Sequence, residues 1–387
     1  MHLAQLQLFN FKNYESAELQ FHPEVNCFLG KNGSGKTNIL DAIHVLGMTK
    51  SAFGFTDNQL IRHGHSFFSV IGKFRNEDNW QVRCSLKKGE KKEVVLNKQK
   101  YEKMSDHIGR FPVVLMAPND TDMIRDPSEM RRKFIDSLIS QLDSGYLNNL
   151  IRYNRALKQR NSLLKQFADN NYYDADLLDP YEYEMAANGE QIRQGRHSFM
   201  NRYQPVVQQY YGQLSEQQEE IGISYHTSVE EGRFLGQLSA ARDKDRVMQR
   251  STIGIHRDDF VFEINQRPVK RFGSQGQQKS FVIAVKLAQA DVIRQERGIK
   301  PLLLLDDIFD KLDDFRIQRL SEEVATGNYG QLFLTDARPE RTMEILRNRT
   351  YARFSIHAGS IESENLNRTE SEKDEPDNNQ YRNEYRD

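Results

Sequence analysis

Cysteine is nearly absent. Cys27 and Cys84 stand alone, with no CxxC pairing, which argues against a disulfide framework or a cysteine-based zinc site and for a reducing compartment. Long apolar runs are missing too. None approaches the roughly 18–20 residues that cross a bilayer, so no membrane partner is expected. The opening "MHLAQLQLFNFKNY" has neither a basic n-region nor a long apolar h-region and does not read as a signal peptide. A cytoplasmic location is the expectation. No internal repeat is visible, which disfavours a solenoid.

An excess of either charge is also lacking: 54 basic and 55 acidic residues give a net charge of −1. That balance hides a skew. From Gly359 to Asp387 nine acidic residues face four basic ones, a net of −5, which leaves +4 for the body. The tail lacks apolar periodicity and is predicted to be disordered. A mildly basic body is compatible with a polyanionic partner. At 387 residues the chain is long enough for a sizeable core and two or three domains.

Alternation of apolar and polar residues predicts two strands in the first 26 residues, and further strands in "FFSVIGKF", "WQVRCSLKKGEKKEVVLN" and "FPVVLMAP", with a hairpin turn at Lys88–Gly89. Helical spacing then predicts one long helix over about 129–167 and a second over about 181–214, each roughly 50 Å long at ~1.5 Å per residue. Strand signals return at "IGISYH" and "DDFVFEIN". The fold class is therefore α/β: a mixed-sheet head interrupted by a helical arm. The boundaries read as 1–118 for the first half of the head, 119–250 for the arm, 251–358 for the second half and 359–387 for the tail.

"GKNGSGKT" fits G-x-x-x-x-G-K-[ST] at every fixed position, after a strand ("VNCFL") and before a helix ("NILDAIHVLG"). Gly30, Gly33 and Gly35 let the backbone curl around phosphate, and Lys31, Asn32 and Ser34 complete the loop. Lys36 reaches the β and γ phosphates, and the Thr37 hydroxyl ligates Mg²⁺. The alternative, a glycine-rich turn with an incidental lysine, does not explain the flanking elements. In "PLLLLDDIFDKLD" four leucines form a strand buried on both faces. Asp306 at its end suits Mg²⁺, and Asp307 suits polarising the attacking water.

"FGSQGQQKSF" (Phe272–Phe281) is a polar, glycine-containing loop entering a helix. Ser274, Gly276 and Gln277 present hydroxyl, N–H and amide groups at a helix N-terminus, chemistry suited to a γ-phosphate. Since Gly30–Thr37 already wraps one nucleotide, these donors suit the nucleotide of a second copy.

The order of phosphate loop, S-x-G-Q signature, Leu302–Asp307 strand and a "DKLD" loop with Asp310 and Asp313 resembles the ABC-type ATPases, and the P-loop head is expected to share their fold. "FKNY" (Phe11–Tyr14), "APND", "RRKFID", "RYNRALKQRNSLL", "GIHRDDF" and the paired aspartates narrow the resemblance to the RecF family of bacterial recombination-repair ATPases. It covers Leu3 to about His357. It implies an ATP- and Mg²⁺-dependent, nucleoid-associated homodimer, completed in trans by the signature, that binds double-stranded, gapped or junction DNA, with single-stranded DNA as a further candidate, and acts with RecR and RecO to load RecA. It also implies that Lys12 and Asn13 lie near the nucleotide. Asp336 in "LTDAR" stands where many ABC proteins place a switch histidine. Asn119 or Asp120 stands in for the glutamine of the Q-loop.

Hydrolysis is expected to be slow, because Asp307 is one methylene shorter than the usual glutamate. Two basic clusters are candidates for phosphate contact: Lys87, Lys88, Lys91 and Lys92 within Arg83–Lys103, which carries eight basic and three acidic residues, and Arg152, Arg155, Lys158 and Arg160 along the first arm helix. Either cluster could equally be a solvated face. His63 and His65 read as loop residues rather than metal ligands. A transporter or chromosome-complex ATPase subunit shares the motifs, but the arm before the signature disfavours the former. A fused nuclease has too little chain after Asp313.

Overall fold

The computed structural model describes residues 1–215, 219–325, 327–338, 340, 346, 350–357 and 359–367. The chain forms two compact units, 1–101 with 302–387, and 102–301. These boundaries differ from the expected ones at 118 and 250, and the signature helix falls in the unit that contains the arm.

The first unit holds two kinds of sheet. One is antiparallel, in the order Tyr14–Gln20, His2–Phe11, Phe67–Arg75, Asn79–Lys87, Glu93–Leu96, Gln99–Lys100. Its residues alternate as period-two strands must: Leu6, Leu8, Phe68, Val70, Val82 and Cys84 are buried, while Lys73, Gln81 and Arg83 are exposed. The predicted hairpin across Lys88–Gly89 pairs Ser85 with Glu93 and Val82 with Leu96.

The other sheet is parallel at its centre. Val25–Leu29 lies between Leu332–Asp336 and Tyr351–His357, parallel to both, and Leu302–Asp306 runs beyond Leu332–Asp336. All five residues of Val25–Leu29, of Leu302–Asp306 and of Leu332–Asp336 are buried, which is why they read as unbroken apolar runs. Helix Lys36–Met48 packs against both sheets and buries Ile39, Leu40, Ile43, Val45 and Leu46. At about 1.5–3 kcal/mol per large apolar side chain, that burial fixes the helix between them.

Two strands near the end of the described chain were not foreseen. Tyr351–His357 pairs antiparallel with Ser360–Asn367. The expected disorder from Gly359 is therefore corrected: 360–367 is an edge strand, paired along one side with Tyr351–His357. The rest of the predicted tail, 368–387, lies outside the described residues.

In the second unit the predicted single helix over 129–167 is two, Ser128–Leu142 and Ser144–Asp169. Apolar spacing runs on across the break, so periodicity alone misses it. Asp143 makes it: in an extended conformation, its carboxylate accepts from the N–H groups of Gly145 at 2.7 Å and Tyr146 at 3.1 Å. Helix Asp179–Leu214 has 36 residues and extends roughly 54 Å. It packs against Ser144–Asp169 and against the signature helix Gln275–Arg297. A three-stranded antiparallel sheet, with Asp259–Ile264 at its centre between Ile221–His226 and Arg267–Pro268, completes the unit.

Ionic groups sit inside this helical packing. Arg160 is fully buried; it donates to Glu182 at 2.8 Å, Asp245 at 2.7 Å and the Ser251 hydroxyl at 2.8 Å. Arg196 donates to Asp136 at 2.8 Å, Asp258 at 2.7 Å and the Ile255 carbonyl at 2.8 Å. "GIHRDDF" thereby has a physical role. Asp258 anchors Arg196, Asp259 pairs with Arg131 at 2.8 Å, and His256 accepts from the Tyr153 hydroxyl at 2.8 Å while its other nitrogen meets the Ser251 carbonyl. Arg257 is exposed.

Candidate active site

Parallel register gathers the site. In a parallel sheet all strands end on the same edge. Asp306 lies opposite Thr335, and Asp336 lies opposite Leu29, the residue before the phosphate loop. Thr37, first in the helix after Lys36, then reaches across: its hydroxyl donates to Asp306 Oδ1 at 2.9 Å. The predicted phosphate loop and the predicted carboxylate strand thus converge in one contact.

Two close approaches shape the loop. A Cβ on Gly30 would stand 2.4 Å from the Ile356 carbonyl oxygen. Gly35, at φ 115, has Asn13 and Tyr14 where a Cβ would project, 2.4 and 2.9 Å away. "FKNY" is the brace beneath. Asn13 donates to the Ser34 carbonyl at 3.4 Å and accepts from Asn38 at 2.7 Å, and the Tyr14 hydroxyl donates to the Gly35 carbonyl at 3.1 Å. Lys12 goes elsewhere. Its ammonium pairs with buried Asp41 at 2.6 Å, one turn along the helix, and stands 4.2 Å from the Phe55 ring centroid. Beside Asn13, the Gly359 N–H donates to the same Ser34 carbonyl at 2.9 Å.

Lys36 donates to the carbonyls of Gly30 at 2.7 Å and Lys31 at 3.1 Å. Burial lowers its pKa, opposed by the charges of Asp307, Asp306 and Asp336. The buried Ser34 hydroxyl has no hydrogen-bond partner among the described residues, and it faces the cradle a Cβ on Gly30 would fill. Lys31, Asn32 and Gly33 are exposed. A polyphosphate fits this donor set.

Asp306 is buried, and burial raises its pKa against the hydrogen bonds from Thr335 and Thr37. A hydroxyl and a carboxylate oxygen side by side are the oxygen ligands that Mg²⁺ prefers. Thr335 was not singled out by its sequence. Its hydroxyl donates to Asp306 Oδ1 at 2.8 Å and accepts from the Asp307 N–H at 2.9 Å, tying the tips of both strands. The available signal was a threonine inside a strand buried on both faces, where a polar group needs a partner. Asp307 is left-handed, at φ 47. Asp tolerates that region better than Glu, a backbone reason for the shorter acid here. Asp336 is buried and accepts from the Arg338 N–H at 2.8 Å.

The signature is built as a helix start. Ser274 is the N-cap of Gln275–Arg297: its hydroxyl accepts from the Gln277 N–H at 3.2 Å, and Gln277 accepts from the Ser274 N–H at 2.7 Å. The Gln277 amide donates on to Glu219 at 2.5 Å. Ser274 is exposed, and Gly276 and Gln277 are partly so. Asp120 pairs with Lys286 at 2.9 Å, so it holds the signature helix. Asp313 accepts from the Arg316 N–H at 3.0 Å; the side chain of Asp310 lies outside the described residues.

The basic clusters divide. Lys88 and Lys91 are exposed, Lys87 is exposed and paired with Glu90, and Lys92 is largely buried against Asp57 at 2.6 Å. Arg152, Arg155 and Lys158 are exposed on one arc of their helix, whereas Arg160, expected among them, belongs to the buried network.

The head of an ABC-type ATPase is what this sheet, loop and paired-aspartate strand amount to. A solved Smc head domain derived from Pyrococcus furiosus, bound to part of ScpA, has the same fold at a TM-score of 0.52 and 17% identity, over 94% of this chain and 96% of that one. The RecF/RecN/SMC N terminal domain model matches residues 2–360. A Cytophaga hutchinsonii protein described as "DNA replication and repair protein RecF" is 45% identical over 94% of this chain and 97% of its own length. The solved recombination mediator protein RecF with ATP, of the RecFOR pathway, superposes at a TM-score of 0.84 with 27% identity, over 93% of this chain and 97% of that one. The chain belongs to the RecF family.

Among the described residues no helix is long and apolar enough to cross a membrane, and no group of three or more His, Cys, Asp or Glu side chains is placed to hold a metal ion.

Proposed function

We propose that the chain is an ATP-dependent switch on DNA in replication and recombinational repair. The observation that carries this reading is the 2.9 Å contact between Thr37 and Asp306, phosphate loop to carboxylate strand, in a RecF-family chain. The loop Gly30–Thr37 holds the ATP phosphates, and Thr37 and Asp306 hold Mg²⁺, which supplies charge neutralisation at the phosphates. Asp307 orients the attacking water. A short acid on a fixed left-handed backbone suits slow turnover, and slow turnover suits a clamp that persists on DNA.

The signature Ser274, Gly276 and Gln277 serves the ATP of a second copy, so that ATP drives dimerisation. Lys88, Lys91, Arg152, Arg155 and Lys158 meet phosphates of gapped or junction DNA, and no base-reading module is involved. RecR and RecO are the expected partners, RecA loading the output, and the cytoplasm the place of work.

Light-scattering mass with and without ATP and gapped DNA tests the reading. The decisive variant is Ser274→Asp, which keeps a good N-cap and sets a carboxylate against the partner's phosphate. ATP should double the wild-type mass and leave the variant monomeric with ATP still bound. A wild type that stays monomeric throughout sinks the trans signature.

A further inference from the structure

The outer face of the antiparallel sheet carries a feature that the nucleotide site does not use. Phe9 and Phe67 are 39% and 44% exposed, on neighbouring strands of that face. Phe9 lies opposite Ser69, and Phe67 is two residues before Ser69, so the two rings are diagonal neighbours. The row through Phe9 is otherwise small: Ser16 on one side, Ser69 and then Ser85 on the other.

Cations surround the pair. Lys87 lies opposite Phe67, Arg83 opposite Ile71, and Lys73 opposite Gln81 on the same face. Among the described residues Lys73 and Arg83 make no ion pair, and both are exposed. Of the acids on this face, Glu93 is paired with Lys100, while Glu18 accepts from the neutral Gln5 amide and keeps its charge. Single exposed rings need no explanation. Two adjacent rings, small neighbours and two cations without an ion pair among the described residues, with Lys87 held by Glu90 beside them, together match a surface for unpaired bases on a phosphate backbone.

We propose that this face is a stacking platform for single-stranded DNA, with Phe9 and Phe67 under successive bases and Lys73, Arg83 and Lys87 along the phosphates. The proposal rests on the DNA-binding reading above and deepens it, giving the head a contact specific to the unpaired part of a gap. A duplex keeps its bases stacked on one another and gains nothing from the rings. The excess of cations favours a nucleic acid over a protein partner.

The test measures affinity for a single strand and for a duplex of equal length, on wild type and on Phe9→Leu combined with Phe67→Leu. Leucine keeps the face apolar and removes the π-surface. Each of the two lost stacked bases should lower single-strand affinity roughly 5- to 150-fold, with duplex affinity unchanged. Phe9→Trp with Phe67→Trp should retain single-strand binding. A 2-aminopurine base in the strand should be quenched by wild type and not by the leucine variant. Unchanged single-strand affinity in that variant, or an equal fall for strand and duplex, overturns the platform. A wild type that binds duplex but no single strand overturns it while the proposed function stands. A wild type that binds neither overturns both.

Discussion

The strand-end site of the first unit and the ion network of the second solve different problems with similar residues. At the strand ends, carboxylates and hydroxyls meet through backbone register. Asp306, Thr335 and Asp336 stand where they do because three parallel strands stop on one edge. In the helical unit, Arg160 and Arg196 meet acids brought from segments up to 85 positions away in the chain, with no register to align them. Removing two buried charges from water offsets most of their attraction, so such a network selects one packing more than it adds stability. The first arrangement is poised for chemistry; the second is closed.

Breaking the closed network should have the larger effect on stability. Arg196→Met leaves the buried Asp258 and the partly buried Asp136 without their guanidinium partner and should cost about 3–5 kcal/mol, read from the urea midpoint. A loss below about 1 kcal/mol would mean that those acids reach water. At the strand ends the comparable lesion is Gly30→Ala, which forces the Ile356 carbonyl away from a new Cβ. Strain of about 1–3 kcal/mol should weaken ATP binding roughly 5- to 150-fold, measured by titration calorimetry, while the fold survives.

How much of this was legible beforehand follows the same division. The phosphate loop and the Leu302–Asp307 strand carry their chemistry in contiguous residues, so sequence places them before any contact is known. Thr335 did not stand out, because its role needs the register between two strands. Arg160 looked like one more cation on a basic helix, and only tertiary packing shows it facing Glu182. The break at Asp143 escaped because hydrophobic period reports which face is buried, not whether the backbone is continuous. The strand from Ser360 escaped because acidic composition outweighed a weak alternation that edge pairing later satisfied.

Thr335→Val sharpens the comparison further. It strands the Asp307 N–H and frees Asp306 to turn, so ATP hydrolysis should fall by about tenfold, of the order expected for 1–3 kcal/mol of a lost buried partner. Thr335→Ser should restore it, and failure of that rescue would make Thr335 a packing residue.

The last expected effect is one of pH. Burial chiefly, with the charges of Arg257 and Arg132, lowers the His256 pKa to about 4 from 6.5, against the Ser251 carbonyl. The folded state then binds fewer protons than the unfolded one below pH 6.5, so stability is lost as pH falls through that value. Between pH 7 and pH 5 the loss should reach about 2 kcal/mol, and His256→Gln should flatten it. An unchanged slope in that variant would assign the pH dependence to other groups.

The central strand Val25–Leu29 has a consequence for how the protein is made. Both of its neighbours, Leu332–Asp336 and Tyr351–His357, leave the ribosome some three hundred residues after it. At roughly 5–20 residues per second, that apolar strand waits on the order of 15–60 s without a sheet to join. The antiparallel sheet, all of it within the first hundred residues, has no such wait. The nascent chain therefore carries an unpaired hydrophobic segment for most of its synthesis, and a chaperone that shelters it then should raise the yield of active protein more than one added after release.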